Sequence, residues 1–341
     1  MKQILEMGEP LIKSYPFRAN ITSILNNHPH FYDWLFNNHV QLFCGIYPAV
    51  TNFDTYLDTY EPLSRIHYPL VEVQFIKKDI FNSIEMDVCD FIINSINLGY
   101  YVYLGVDTFY LPLYRSSNHI GHDIFVYGYD SKHEHFYVAD FFNGTYSREV
   151  VEYKSFKKAV ESEYSDTNEF KGVQLLKRID EGHQSKYQLN LDYVVTQLED
   201  YINEFNTSMR YAALEVPLLD PEGRTSGNRT WGVGVYRSLV EVFDQEEISP
   251  VTLRSLHALY EHKKLMTMRV KYLMKSGYLD DAIQFESTFS HIENDVLKLR
   301  NFFMKCLMSK KYNREKTQKW LLDIQKQDGD SIKHLIELLK R

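Results

Sequence analysis

The chain has 341 residues, 44% of them apolar and 25% charged, with a formal net charge of −8. That acidity excludes nucleic acid as a general partner, and the absence of any apolar run near the roughly 18 residues of a membrane span excludes a membrane partner of that kind. Three cysteines in 341 residues exclude a disulfide framework.

The length suggests two domains, and the boundary is expected in the polar stretch Asp180 to Lys186. The opening segment MKQILEMGEPLIKSYPF lacks an apolar signal-peptide core, so a reducing, cytoplasmic setting is expected. A first helix is predicted from Arg18 to Asn27, with Ile21, Ile24 and Leu25 as its apolar stripe. A short helical stretch, HFYDWLFNN, and a short strand ending near Cys44 follow. Residues 45–69 show no clear period and read as long loops. Leu70 to Ile76 reads as a strand, and Asp79 to Leu98 as a helix with Asp79 as its cap and Gly99 just past its end. Strands are expected at Tyr100 to Val106, His122 to Tyr129, His135 to Phe141, Tyr146 to Tyr153 and Val173 to Ile179, with a short helix from Ser155 to Glu163.

The second half differs in kind. A helical stripe runs through Leu191, Val194, Leu198, Tyr201, Ile202 and Phe205, and Pro217 to Arg229 reads as a loop. A helix is predicted from Val251 to Ser276, with Gly277 after it, and Asp280 is expected to cap the next. Phe285, Phe289, Ile292, Val296, Leu299 and Phe303 recur at alternating steps of four and three, the spacing of a helix-packing seam. Two further helical segments are expected around Trp320 to Ile324 and Ile332 to Leu339, parted at Gln327-Asp328-Gly329. The expected fold class is α+β: a domain over 1–180 with an antiparallel sheet, then an all-α helical bundle over 187–341 that packs on the first domain or on a second copy of the chain.

The most informative stretch is HDIFVYGYD…FYVADFFNG, His122 to Gly144. Two β-rich runs flank the polar turn Asp130-Ser131-Lys132. If the turn centres on Ser131, His122 opposes Asp140, Ile124 opposes Val138, and Val126 opposes Phe136, all on one face. A histidine beside an aspartate is two thirds of a nucleophilic triad. The competing reading is a structural pair at a sheet end.

GHDIFVYGYD followed by YVADFF resembles the His and Asp segments of papain-like proteins, and most nearly the butirosin biosynthesis protein H-like N-terminal family. The resemblance covers roughly residues 10 to 180. It implies a papain-like fold and a cytoplasmic acyltransferase of an antibiotic, nonribosomal peptide or polyketide pathway. It implies His122 as general base, Asp140 as the group that orients it, and an acyl or peptidyl carrier protein as partner. No cofactor of the chain's own is implied beyond the phosphopantetheine of that carrier. Family members carry a nucleophilic cysteine at the start of an N-terminal helix, where the helix dipole and the histidine depress its pKa. The matching positions here are Arg18, Ala19 and Asn20, none of them a nucleophile.

Cys44 keeps the order Cys, His, Asp along the chain and is the candidate substitute; Ser14, Thr22 and Ser23 lie around the first helix as hydroxyl alternatives. Cys89 and Cys306 fall in helical patterns and read as core. His119-x-x-His122-Asp123 has metal-ligand residue types without matching ligands elsewhere, and Gly232-x-Gly234 lacks the third glycine of a nucleotide-binding turn. Residues 298–341 hold 12 Lys and Arg against 5 Asp and Glu, a basic end suited to steering an acidic carrier or to a solvated helix face. Three functional readings follow: an acyltransferase or amidase using Cys44 or a hydroxyl with His122 and Asp140, a non-catalytic binding module for carrier-bound intermediates, and a scaffold that pairs through its helical domain, as a homodimer for example.

Overall fold

The computed structural model describes all residues except 49–52, 65, 84–85, 167–170, 181–186, 219–228, 245–248 and 280–282. The proposed cap Asp280 and most of the expected linker and of the loop before Arg229 lie outside the described residues. In chain order the first elements are β1 (Lys2–Ile4), α1 (Pro16–Leu25), α2 (Phe31–Asn37), β2 (Leu42–Pro48), β3 (Phe53–Thr59), β4 (Val71–Lys77), α3 (Lys78–Ser83) and α4 (Val88–Asn97). There follow β5 (Tyr101–Asp107), β6 (Gly121–Asp130), β7 (His135–Phe142), β8 (Thr145–Glu152), α5 (Tyr153–Glu161) and β9 (Gly172–Arg178). The last are α6 (Leu191–Ile202), β10 (Thr230–Trp231), α7 (Val235–Phe243), α8 (Pro250–Lys275), α9 (Ile283–Ser309) and α10 (Arg314–Leu339). Antiparallel sheets together with helices make the chain α+β. No helix among the described residues is long and apolar enough to cross a membrane.

The chain forms two compact units that are interleaved in sequence: residues 1–31 with 64–187, and residues 32–63 with 188–341. The later boundary falls between Tyr187 and Gln188. The earlier segment, 32–63, leaves the continuous 1–180 block and joins the second unit.

In the first unit the sheet order is β4-β9-β5-β6-β7-β8, with β1 paired to β6, and every pairing is antiparallel. β5 is central and buried along its whole length, which its YVYLGVD sequence supplies without polar alternation. Val102, Leu104, Ile124, Val126, Phe136 and Val138 fill one sheet face and pack under α4 and α5. The expected helix from Asp79 to Leu98 is in fact two helices, α3 and α4. Asp87, not Asp79, caps the longer one: its Oδ1 accepts the Cys89 amide at 2.8 Å. Gly99 ends that helix at a φ of +86°, a conformation natural to glycine.

The second unit corrects the expectation of an all-α half. It contains a three-stranded antiparallel sheet ordered β10-β2-β3, with β3 inside the stretch read as loops. The strand was hidden because polar residues occupy buried positions. Thr55 donates to Ser255 Oγ of α8 at 2.8 Å, and Ser255 donates to the Thr55 carbonyl at 2.9 Å, so hydroxyls stand where an apolar pattern was sought. Trp231 of β10, Phe43 and Tyr60 close a small aromatic cluster.

The seam from Phe285 to Phe303 is buried along α9 as its spacing implied. The predicted break at Gln327 to Gly329 is absent, because α10 runs through it. Asp328 occupies a stripe position between Ile324 and Ile332 and is bonded in the interior rather than turned to solvent. Lys263 Nζ lies 2.6 Å from Asp328 Oδ2, and the Tyr201 and Tyr236 hydroxyls donate to the same oxygen at 2.6 and 3.2 Å. Gly232, at a φ of +53°, abuts the Tyr201 carbonyl so closely that a Cβ would come within 2.0 Å of it. That is packing at a helix entry.

Candidate functional site

The turn between β6 and β7 is longer than the sequence suggested. β6 runs to Asp130 and β7 begins at His135. Asp130 Oδ1 accepts the Lys132 and His133 amides at 3.0 and 3.3 Å, and Oδ2 meets His133 Nδ1 at 3.0 Å. Next to this turn Asp130 faces His135 and Tyr129 faces Phe136. Carried unchanged to the far end of the hairpin, that register would put His122 and Asp140 on opposite faces, because directly opposed residues share a face and the pattern alternates. A bulge prevents this. Between Val126 and Gly128 the register shifts by one residue, with Tyr127 the extra one, so that Val126 faces Val138 and Phe125 faces Ala139. His122 and Asp140 return to the same face. The expected direct opposition is therefore corrected to a diagonal one, two residues out of the simple register, while the predicted sharing of a face holds.

His122 Nε2 lies 2.8 Å from Asp140 Oδ2. The aspartate side chain is 1% exposed and the histidine 39%. An ionised carboxylate accepting from Nε2–H fixes the tautomer with the lone pair on Nδ1, so Nδ1 is the nitrogen that would act as base. Tyr114 completes the group. Its hydroxyl donates to the same Oδ2 at 2.5 Å, and its ring stands edge-on to the imidazole with centroids 5.4 Å apart. Burial and then the Asp140 charge push the Tyr114 phenol far above its ordinary range, so it serves as a hydrogen-bond donor and not as a phenolate. Sequence reading missed Tyr114 because it sits in a 3₁₀ turn, Pro112–Tyr114, outside both strands of the hairpin.

Cys44 belongs to the second unit, within β2, and is fully buried. Burial pushes its thiol up to about 12, against an opposing hydrogen bond with Ser238. A thiol in that state is not a nucleophile at neutral pH. The positions where the resemblance places a cysteine, Arg18, Ala19 and Asn20, lie in α1 and are buried. Asn20 Oδ1 accepts the Tyr146 hydroxyl at 2.8 Å. Tyr146 faces Phe141, the neighbour of Asp140 along β7, so alternation puts it on the other side of the sheet. Of the hydroxyl alternatives, Thr22 donates to the Arg18 carbonyl at 2.8 Å, as a helical threonine commonly does. The structure thus brings His122 and Asp140 together in the first unit and buries Cys44 within the second.

No family model and no curated protein matches the chain.

A second His–Asp pair lies close by in sequence. His119 Nδ1 is 2.6 Å from Asp107 Oδ2, the same oxygen accepts Ser162 Oγ at 2.7 Å, and Asp107 Oδ1 accepts the Phe109 amide at 3.0 Å. Burial alone would raise the Asp107 carboxyl; the bonds from His119, Ser162 and Phe109 together outweigh it and hold the group below its ordinary value. The His119 ring lies against Phe109 and stacks on Tyr164, with centroids 4.2 and 4.9 Å away. The His-x-x-His-Asp motif therefore divides: His119 goes to Asp107, His122 to Asp140, and Asp123 accepts the Tyr103 hydroxyl at 3.1 Å. Among the described residues no group of three metal-ligating side chains is assembled. The acidic partner of His119 was unreadable from spacing, because it comes from the end of β5 across an intervening loop.

Proposed function

We propose that the first unit is a papain-like variant that serves acyl transfer in a carrier-dependent biosynthetic pathway, with His122 as general base, Asp140 as its orienting group, and the acceptor molecule itself as nucleophile. One observation carries this reading: a partly exposed histidine held through Nε2 at 2.8 Å by a buried carboxylate that Tyr114 also anchors. A ring fixed in one tautomer presents Nδ1 as a base. His122 would take a proton from an acceptor amine or hydroxyl as its nitrogen or oxygen attacks a thioester carbonyl. Collapse of the adduct breaks the carbon–sulfur bond, and the departing thiolate takes the proton from the imidazolium. The products are the acylated acceptor and a free carrier thiol. No protein thioester is needed, which accords with the interior position of Cys44. The partner is an acyl or peptidyl carrier protein, and the setting is the cytoplasm.

The test is release of free thiol from acyl N-acetylcysteamine thioesters in the presence of amine acceptors. Turnover that falls at least a hundredfold in His122→Ala and Asp140→Asn, and survives in Cys44→Ser, supports the reading. An acyl adduct on Cys44, or turnover indifferent to His122, overturns it. The shared use of Asp140 Oδ2 by Tyr114 and His122 also suits a second reading, a non-catalytic module that binds carrier-linked intermediates. Carrier binding that persists without turnover in the unsubstituted protein would favour that alternative.

A further inference from the structure

The first unit has a cavity of about 530 Å³, walled by α3, the start of α4, α5 and the edges of β5 and β9. None of His122, Asp140 and Tyr114 lines it. Its size falls within the roughly 300–1,000 Å³ range of small-molecule sites. The apolar wall is an open end of the core beneath α4 and α5, formed by Phe81, Val88, Leu104, Val160 and Val173. A wall of this kind gains from covering a short hydrocarbon or ring.

The charged groups at the cavity divide unequally. Lys157 Nζ is 2.5 Å from Asp87 and 3.8 Å from Glu161, so one ammonium is shared by two carboxylates. Asp87 is further engaged in capping α4. Lys78 is different. It is half-buried, and its ammonium donates to Ser165 Oγ at 3.0 Å, while Ser165 gives its own proton to the Val160 and Ser162 carbonyls at 2.7 Å. Among the described residues Lys78 has no carboxylate partner. An ammonium has three donors, and withdrawing it from bulk water without an anion is costly.

We propose that this cavity binds a small amphipathic carboxylate, its anionic head on the Lys78 ammonium and its apolar body against Phe81, Leu104 and Val173. One ammonium without a carboxylate partner among the described residues, in a lining that holds two acidic and two basic side chains, suits a single negative charge and not a phosphate dianion. The site is separate from the His122 dyad and stands or falls independently of it.

The experiment is calorimetric titration of the full chain with sodium octanoate, 1-octanol and octylamine. Octanoate is expected to bind more tightly than the other two. Lys78→Met is expected to weaken octanoate about tenfold or more, the scale of a charge-assisted hydrogen bond, and Lys78→Arg to retain it. Val160→Trp, which fills the cavity from α5, is expected to abolish binding and covers the case in which Lys78→Met fails to fold. Absence of octanoate binding, equal binding of octanoate and octanol, or indifference to both Lys78→Met and Val160→Trp overturns the proposal. Octanoate binding in His122→Ala protein that has lost thioester turnover would separate this site from the proposed acyl-transfer site.

Discussion

Replacing Asp328 with alanine should be among the most damaging single changes available in the second unit. Lys263 and Asp328 are 1% and 0% exposed, and the carboxylate also accepts two tyrosine hydroxyls. Without it, Lys263 keeps the Tyr201 hydroxyl at 2.8 Å and the Tyr201 and Tyr236 rings at 4.9 and 5.6 Å, and a cation with no anionic partner among the described residues remains in the interior. Removing one partner of a buried ion pair typically costs about 3–5 kcal/mol. Alanine's better helix propensity returns about 0.5 kcal/mol. The expected loss is therefore roughly 3–4 kcal/mol, a large part of the ~5–15 kcal/mol that holds a domain folded. Burial lowers the Lys263 pKa even with Asp328 in place, so the variant should be least stable where the lysine is forced to stay charged, and should recover part of the loss as pH rises. Urea unfolding followed by circular dichroism gives the number. The double variant Lys263→Met, Asp328→Leu should recover only part of the loss, because it removes the unpaired cation but leaves the buried Tyr201 and Tyr236 hydroxyls without their acceptor. A single-variant loss below about 1 kcal/mol would refute the picture of a charged, solvent-excluded pair.

Other outcomes can be checked directly. Gly232→Ala drives a Cβ into the Tyr201 carbonyl and should cost at least about 2 kcal/mol, read as a lowered melting temperature; an unchanged melt would mean the backbone there moves freely. Cys44 and Cys89, both pushed up to about 12, should resist iodoacetamide at pH 8 in the folded protein and react only in denaturant, with mass spectrometry locating the label. Burial first, and then the Lys263 charge, hold His262 well below its ordinary 6.5, while its Nε2 donates to the Val40 carbonyl at 2.8 Å. The unfolded chain then binds a proton that the folded chain refuses. The stability carried by the neutral ring is complete above about pH 6.5 and falls by up to about 1.4 kcal/mol per pH unit below it. His262→Gln should flatten that slope in urea titrations between pH 7 and pH 5.

What could be read from the sequence followed the elements whose side chains obey their period. The α9 seam is apolar at every turn, and the strands around the His–Asp pair are rich in β-branched and aromatic residues, so both stood out. Polar groups inside the structure defeated the same reading. Thr55 and Asp328 look like loop and helix-break residues because their satisfying partners, Ser255 and Lys263, are distant in sequence. Tyr114 and Asp107 join their histidines from neighbouring turns and strands, and no local spacing rule connects them. The assignment of residues 32–63 to the second unit was equally hidden, since it is set by long-range pairing such as β10 on β2.

The extra residue at Tyr127 has an arithmetic consequence. Substitutions within the hairpin leave the facing of its side chains untouched, because alternation depends on the count of residues and not on their identity. Losing or gaining one residue between Asp130 and His122 would turn His122 away from Asp140 without changing a single functional side chain. A gain offset by a loss in the same stretch would restore it. In any relative of this chain, the test for a working pair is therefore whether the residue count through the bulge keeps its parity, and a histidine and an aspartate that align perfectly by type can still be looking in opposite directions.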